Sequence, residues 1–175
     1  MSRDRIGHEV FMRIAIEEAL LAARTGEVPV GALVVVDGEI RGRGHNLRES
    51  LNDPAAHAEL LALRQAAEAS GRWVVENSIV YSTLEPCPMC AAAMVQSRVG
   101  HIVFGARDLR WGACGTLYDI PRDKRLNHQC LVTGGILAEE CAKMLREFFR
   151  ARRNRCPEQS GEMAELVEGG RLEIV

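Results

Sequence analysis

The sequence predicts an α/β domain in which a β-sheet is covered on both faces by helices. Three observations carry this expectation. Stretches with apolar residues at helical spacing alternate with short β-branched runs, an early pair of strands is joined by a two-residue Asp-Gly turn, and 175 residues with 47% hydrophobic and 26% charged content suit one domain with one sizeable core.

From about Arg5 to Arg24 apolar residues recur at helical spacing (Val10, Phe11, Ile14, Ala15, Leu20, Leu21), and Gly26 follows as a stop signal, which predicts a first helix. Val30 to Val36 is a continuous aliphatic run. Asp37-Gly38 and Glu39 to Gly44 complete the pattern of a tight β-hairpin. Asp53-Pro54 reads as an N-cap and first helical residue, opening a helix that runs through His57, Leu60, Leu61 and Leu63 towards Gly71. Ser78 to Leu84 is β-branched and apolar, as expected of a central strand, and Pro86-Cys87-Pro88 leads into a short apolar helix, Met89 to Gln96. His101 to Phe104 and Cys130 to Val132 add two strands. A final amphipathic helix, Ala138 to Arg153, is built on Cys141, Met144, Leu145, Phe148 and Phe149.

No apolar run approaches the roughly 20 residues that a membrane span needs, and Met1 to Glu9 is charged where a secretory signal would be apolar. The expectation is a soluble cytoplasmic protein with its six cysteines reduced. The formal charge of -2 argues against a uniformly basic nucleic-acid binder, but the average hides an acidic end. Residues 157–175 hold five acids (Glu158, Glu162, Glu165, Glu168, Glu173) and one base (Arg171), so the rest of the chain has 21 bases against 19 acids. We therefore expect a domain over 1–156 and an acidic C-terminal extension over 157–175. The apolar residues of the extension suggest docking on the domain, as a hairpin about Gly169-Gly170, or else a solvated tail.

The chemistry is concentrated in His57-x-Glu59, followed after 26 residues by Pro86-Cys87-x-x-Cys90. An imidazole and two thiolates suit zinc, and three protein ligands leave a position for water, as in catalytic sites. Zinc lowers the pKa of such a water to about 7. Glu59 is too close to His57 to be a comfortable independent ligand, but it can face the same cavity and move protons. Either half of the pattern alone is ambiguous, since C-x-x-C also serves structural zinc and redox pairs. In this order and on these elements, H-x-E…P-C-x-x-C is the signature of zinc deaminases. A structural zinc site would need a fourth ligand from Cys114, Cys130, Cys141, Cys156, His45, His101 or His128, none of which shows ligand-like pairing.

Beyond that signature the chain resembles the bacterial tRNA adenosine deaminases, the TadA type, of the cytidine deaminase superfamily. The resemblance includes Val28-Pro29-Val30-Gly31-Ala32, His45-Asn46, Asp53-Pro54-Ala55-Ala56-His57-Ala58-Glu59, Thr83-Leu84-Glu85-Pro86-Cys87, Gly105-Ala106-Arg107-Asp108, Asn127-His128 and Glu139-Glu140-Cys141, and runs over most of residues 8–155. It implies a three-layer α/β/α cytidine deaminase-like fold with a central five-stranded mixed sheet, one Zn2+ per subunit, and a homodimer whose partner helps shape the tRNA site. It further implies conversion of adenosine to inosine at the wobble position (34) of a tRNA anticodon. By this similarity Asn46 hydrogen-bonds the purine, Val28 and Leu84 are apolar walls of the base pocket, and Arg107 and Asp108 lie where the family contacts RNA. A hydrogen bond from a sugar hydroxyl to Asp108 would favour RNA over DNA.

Arg146, Arg150, Arg152, Arg153 and Arg155, set against Glu147 and interleaved with Phe148 and Phe149, offer charge for phosphates and a stacking face. Phe148 continues the apolar stripe, so Phe149 is assigned to RNA and Phe148 to packing. Leu47 departs from the family pattern, which has arginine after Asn46 in many relatives. The competing readings are a free-base or nucleoside deaminase of the guanine type, which needs neither the arginine-rich helix nor the 107–110 segment, and a non-catalytic RNA-binding scaffold, which has no need of Glu59.

Overall fold

In the computed structural model the described residues are 3–155, with side chains over 7–154; Cys156 and the acidic segment 157–175, and with it the expectation of a hairpin about Gly169-Gly170 or a solvated tail, lie outside them. The elements run α1 (Arg3–Arg24), β1 (Gly31–Val36), β2 (Glu39–His45), α2 (Arg48–Leu51), α3 (Ala58–Ser70), β3 (Ser78–Leu84), α4 (Pro88–Gln96), β4 (His101–Ala106), a 3-10 turn (Ile120–Arg122), β5 (Leu131–Gly134) and α5 (Ala138–Arg155). The strands form one five-stranded mixed sheet in the order β2-β1-β3-β4-β5. β1 pairs antiparallel with both β2 and β3, while β3–β4 and β4–β5 are parallel.

Asp37 and Gly38 both have positive φ (52° and 79°), the conformation that lets a two-residue turn follow the strand twist, so the β1–β2 hairpin closes where Asp-Gly stands. The central β3 is buried on both faces, as its Ser-Ile-Val-Tyr-Ser-Thr-Leu sequence suggests.

Apolar side chains collect on the two faces of the sheet. On one face α3 and α4 pack over Ala32, Val34, Val80, Ile102 and Phe104. On the other, α1 and the start of α5 pack over Leu33, Val35, Tyr81 and Val103. The result is the expected three-layer α/β/α arrangement. An exposed Arg13–Glu140 ion pair at 3.0 Å links α1 to α5.

Two local expectations need correction. The helix after Asp53-Pro54 begins four residues later than its cap signals suggest. Asp53 Oδ1 instead accepts the Ala55 N–H at 2.8 Å, an Asx turn, and His57 is the N-cap of α3. The stripe assigned to α1 is only half correct: Phe11, Ile14 and Ala15 face the core, but Val10, Leu20 and Leu21 are exposed while Met12, Ala19 and Ala22 are fully buried. Close approach explains this: a Cβ on Gly31 would fall 2.1 Å from Ala15 O, so α1 lies nearly backbone to backbone on β1 and only small residues fit between them. The same device seats α3 on β2, where a Cβ on Gly44 would fall 2.3 Å from Ala58 O.

Candidate active site

His57 and Cys87 are the N-caps of α3 and α4, both in extended backbone conformation, so each side chain stands at the positive end of a helix. Cys90 follows on the buried side of the first turn of α4, after Pro88 at the start of that helix. Nδ1 of His57 is 3.7 Å from Cys87 Sγ and 3.5 Å from Cys90 Sγ, and the two sulfurs are 3.7 Å apart. Among the described residues these three form the group able to hold a metal ion.

Their spacing can be tested against zinc. Bonds of about 2.3 Å to sulfur and about 2.0–2.1 Å to nitrogen at tetrahedral angles require sulfurs about 3.8 Å apart and nitrogen about 3.5 Å from each sulfur. The observed triangle meets that requirement.

Electrostatics favour the same ion. A hydrogen bond from Cys90 and the neighbouring His57 outweigh burial and bring the Cys87 thiol down to about 4, and the bond to Cys87 raises His57. The Cys90 thiol is pushed up by its bond to Cys87 and by burial. A cation at the centre reverses this last preference, since a coordinating thiol is deprotonated outright.

Glu59, in the first turn of α3, is 4% exposed, and burial raises its carboxyl. Ser82 Oγ donates to Glu59 Oε1 at 3.3 Å from the neighbouring strand β3. The carboxylate and His57 open, with Cys87, onto a cavity of about 630 Å³ that is also lined by Val28, Asn46, Leu84 and Asp108. These four are the sequence-selected residues that the fold brings to the metal triad.

The other four stand elsewhere. Arg107 is exposed, does not line the cavity, and donates to Thr116 Oγ1 at 3.3 Å. Phe149, Arg152 and Arg153 lie on α5, also outside the cavity lining. Phe148 and Phe149 are both half-buried, in edge-to-face contact at 5.5 Å, so burial does not divide them into a packing and a contact residue. Among the described residues of α5, Cys141 and Ala142, near its start, join the buried core.

The remaining candidate ligands have other occupations. Cys114, Cys130 and Cys141 are buried, His101 Nε2 lies 2.9 Å from Thr133 Oγ1, His128 Nε2 lies 2.7 Å from Val99 O, and His45 pairs with Glu18 at 3.3 Å.

Two buried carboxylates escaped the sequence reading. Glu27, 1% exposed, accepts Asn46 Nδ2 at 3.1 Å and the Ser50 N–H at 2.6 Å. Burial opposes its charge, but the Ser50 hydrogen bond, the Glu49 amide and Arg48 prevail and hold it below the usual carboxylate value. Glu85, also 1% exposed, accepts the N–H groups of Asp108 (3.3 Å), Cys114 (3.0 Å) and Thr116 (3.1 Å) together with the Thr116 hydroxyl. It thus ties the segment that bears Cys87 to the loop that bears Asp108. An acid inside an otherwise apolar run, as in Glu27-Val28-Pro29-Val30 and Thr83-Leu84-Glu85-Pro86, is the signal that could have found both. Arg48, Met89 and Trp111 also line the cavity and were not singled out.

Residues 6–106 match the cytidine and deoxycytidylate deaminase zinc-binding region. The chain is 50% identical over 147 residues to the tRNA-specific adenosine deaminase of Bacillus subtilis, an alignment covering 84% of this chain and 91% of that protein. Among solved structures, one from studies of A-to-I editing by tRNA:A34 deaminases at the wobble position of transfer RNA superposes with a TM-score of 0.75 and 38% identity, covering 77% of this chain and 98% of the other. The guanine deaminase of Nitrosomonas europaea is similar at a TM-score of 0.65 and 26% identity, over 80% of this chain and 83% of that one. The donor triangle, the buried glutamate and these similarities over most of the chain agree, and the chain belongs to the cytidine and deoxycytidylate deaminase zinc-binding family, whose members are zinc-dependent hydrolases.

Proposed function

We propose that this protein deaminates adenosine to inosine hydrolytically at the wobble position (34) of a tRNA anticodon. The observation that carries the reading is the meeting, in one cavity, of the zinc donors, the buried Glu59 carboxylate and the apolar walls Val28 and Leu84. The substrate follows from the relatives: the match to a tRNA-specific adenosine deaminase is closer and more complete than that to a guanine deaminase.

His57, Cys87 and Cys90 hold the zinc, which when bound supplies Lewis-acid activation of a water held in the cavity. Glu59 accepts a proton from that water and delivers protons to the purine ring nitrogen and to the departing ammonia, so that adenosine and water give inosine and ammonia. Ser82 steadies the carboxylate from behind. Val28 and Leu84 sandwich the base and exclude water, and Asn46, held by Glu27, orients it. One Asp108 oxygen, Oδ1, is used by the Arg110 and Trp111 amides at 2.8 and 3.1 Å, which leaves Oδ2 to accept a sugar hydroxyl. Arg107, Phe149, Arg152 and Arg153 contribute to RNA binding outside the catalytic cavity.

The protein acts as a homodimer in the cytoplasm, with the deaminase domain over 1–156 and the acidic extension over 157–175 as an appendage. No helix among the described residues is long and apolar enough to cross a membrane.

The deciding experiment is inosine formation in an anticodon stem-loop carrying a wobble adenosine, run with zinc-loaded protein beside free adenine, adenosine, guanine and cytidine. Inosine in the RNA alone supports the proposal. Turnover of a free base or nucleoside alone overturns it in favour of the guanine-type reading.

A further inference from the structure

Trp111 lines the same cavity as Glu59 and Leu84 yet is 64% exposed, which places its indole at the mouth. Its main chain is held in place. The Trp111 N–H donates to Asp108 Oδ1 at 3.1 Å, the Gly112 N–H donates to Asp108 O at 2.9 Å, and Glu85 grips the loop on both sides of Trp111, at Asp108 and at Cys114 and Thr116. Gly112 is packed so tightly that a Cβ there would fall 2.7 Å from the Glu85 carboxylate. An exposed aromatic ring on a clamped backbone gives up little conformational freedom when something stacks on it.

What would stack there follows from the surroundings. The cavity, about 630 Å³, is larger than one purine requires and so admits more of a strand than the target base. Exposed Arg48 lines it, and exposed Arg107 and Arg110 precede Trp111 on the same loop, which puts positive charge for strand phosphates beside the indole.

We propose that Trp111 is a stacking platform for the unpaired nucleobase adjacent to the target adenosine in the same strand. The proposal rests on the RNA reading above and adds to it a second base-binding position. Stacking on an indole tolerates every base, so the platform contributes affinity and register more than sequence choice.

The test compares wild type, Trp111→Ala and Trp111→Phe on three stem-loops: intact, abasic at the 5′ neighbour of the target, and abasic at its 3′ neighbour. Trp111→Ala is expected to raise KM about tenfold or more on the intact loop with kcat little changed, Trp111→Phe to restore most of the loss, and one abasic loop to abolish the difference between wild type and Trp111→Ala. In a Trp73→Phe background, where Trp111 is the one remaining tryptophan, the same abasic loop should quench its fluorescence less than the intact loop does. An equal effect of Trp111→Ala on all three loops, or no effect on any, overturns the platform. So does a change of oligomeric state with RNA kinetics intact, which would make the indole an interface residue. Wild-type protein that deaminates free bases but no stem-loop overturns the RNA reading itself, and the platform with it.

Discussion

Ser82 Oγ stands 3.3 Å from Glu59 Oε1, a hydroxyl of the central strand donating to the carboxylate in the first turn of the helix laid over it. Glu59 therefore has a fixed direction at the edge of the cavity, as the proposed proton shuttle requires. Glu59→Gln should retain one zinc per subunit by metal analysis while turnover falls by about 10²–10⁴-fold. Loss of zinc in this variant would make Glu59 a ligand or a structural residue. Ser82→Ala should cost about tenfold or less.

Asn46 depends on Glu27 in the same way. Glu27→Ala removes the acceptor for both the Asn46 amide and the Ser50 N–H, leaving two donors short of a partner. The expected result is a KM raised by about tenfold or more, with zinc content unchanged. Unchanged steady-state kinetics would detach Asn46 orientation from substrate binding.

Chelation should abolish activity and lower Tm, because zinc binds the folded triad and stabilises it by mass action, about 2.7 kcal/mol at a free concentration one hundred times Kd. Adding zinc back should release protons, since Cys90, held protonated by its bond to Cys87 and by burial, must give up its proton to bind. Calorimetry in two buffers of different ionisation enthalpy measures the release; none would mean that both thiols are already ionised in the apo protein.

Arg152 and Arg153 are exposed on α5, beyond the part of the helix that packs on the sheet. Changing both to Ala should weaken stem-loop binding and reduce the slope of log K against log salt by up to about 2, one for each phosphate contact removed. Unchanged slopes at 50 and 200 mM salt would remove this end of the helix from the RNA surface.

Alkaline stability has a defined sign. Burial pushes the Cys141 thiol from its ordinary 9.0 up to about 12 and the Tyr81 hydroxyl from 10.0 to about 12. The unfolded chain releases these protons first, so the stability they contribute is intact below pH 9 and is lost as pH rises towards 12. The slope approaches about 1.4 kcal/mol per pH unit for each group fully engaged. Denaturant melts between pH 8 and 11 should show the decline, and Cys141→Ala, though less stable at pH 8, should show a shallower one.

The metal-donor pattern was legible in the sequence because zinc ligation needs particular side chains at particular places: His57, Cys87 and Cys90 come together on folding as one triangle. The Asp37-Gly38 hairpin was legible for a similar reason, since a turn with two positive φ angles admits few residues. Other features left weaker marks. The helix start was misread because Asp53-Pro54 serves an Asx turn as well as it serves a cap. The single turn α2 (Arg48–Leu51) is too short for a periodic signal and buries no residue. On α1 the larger Leu20 and Leu21 drew attention away from the buried Ala19 and Ala22. Glu85 stayed hidden because its partners are mostly backbone N–H groups, which every residue possesses.

That last arrangement also bears on how such an enzyme can change over time. Because Glu85 fixes the course of the 108–116 loop largely through main-chain atoms, the outward side chains of Leu109, Arg110 and Trp111 are released from structural duty. Substitutions there can redraw the entrance to the cavity while the metal donors, Glu59 and the fold stay as they are, which makes this short stretch a natural starting point for evolving or engineering a new substrate preference.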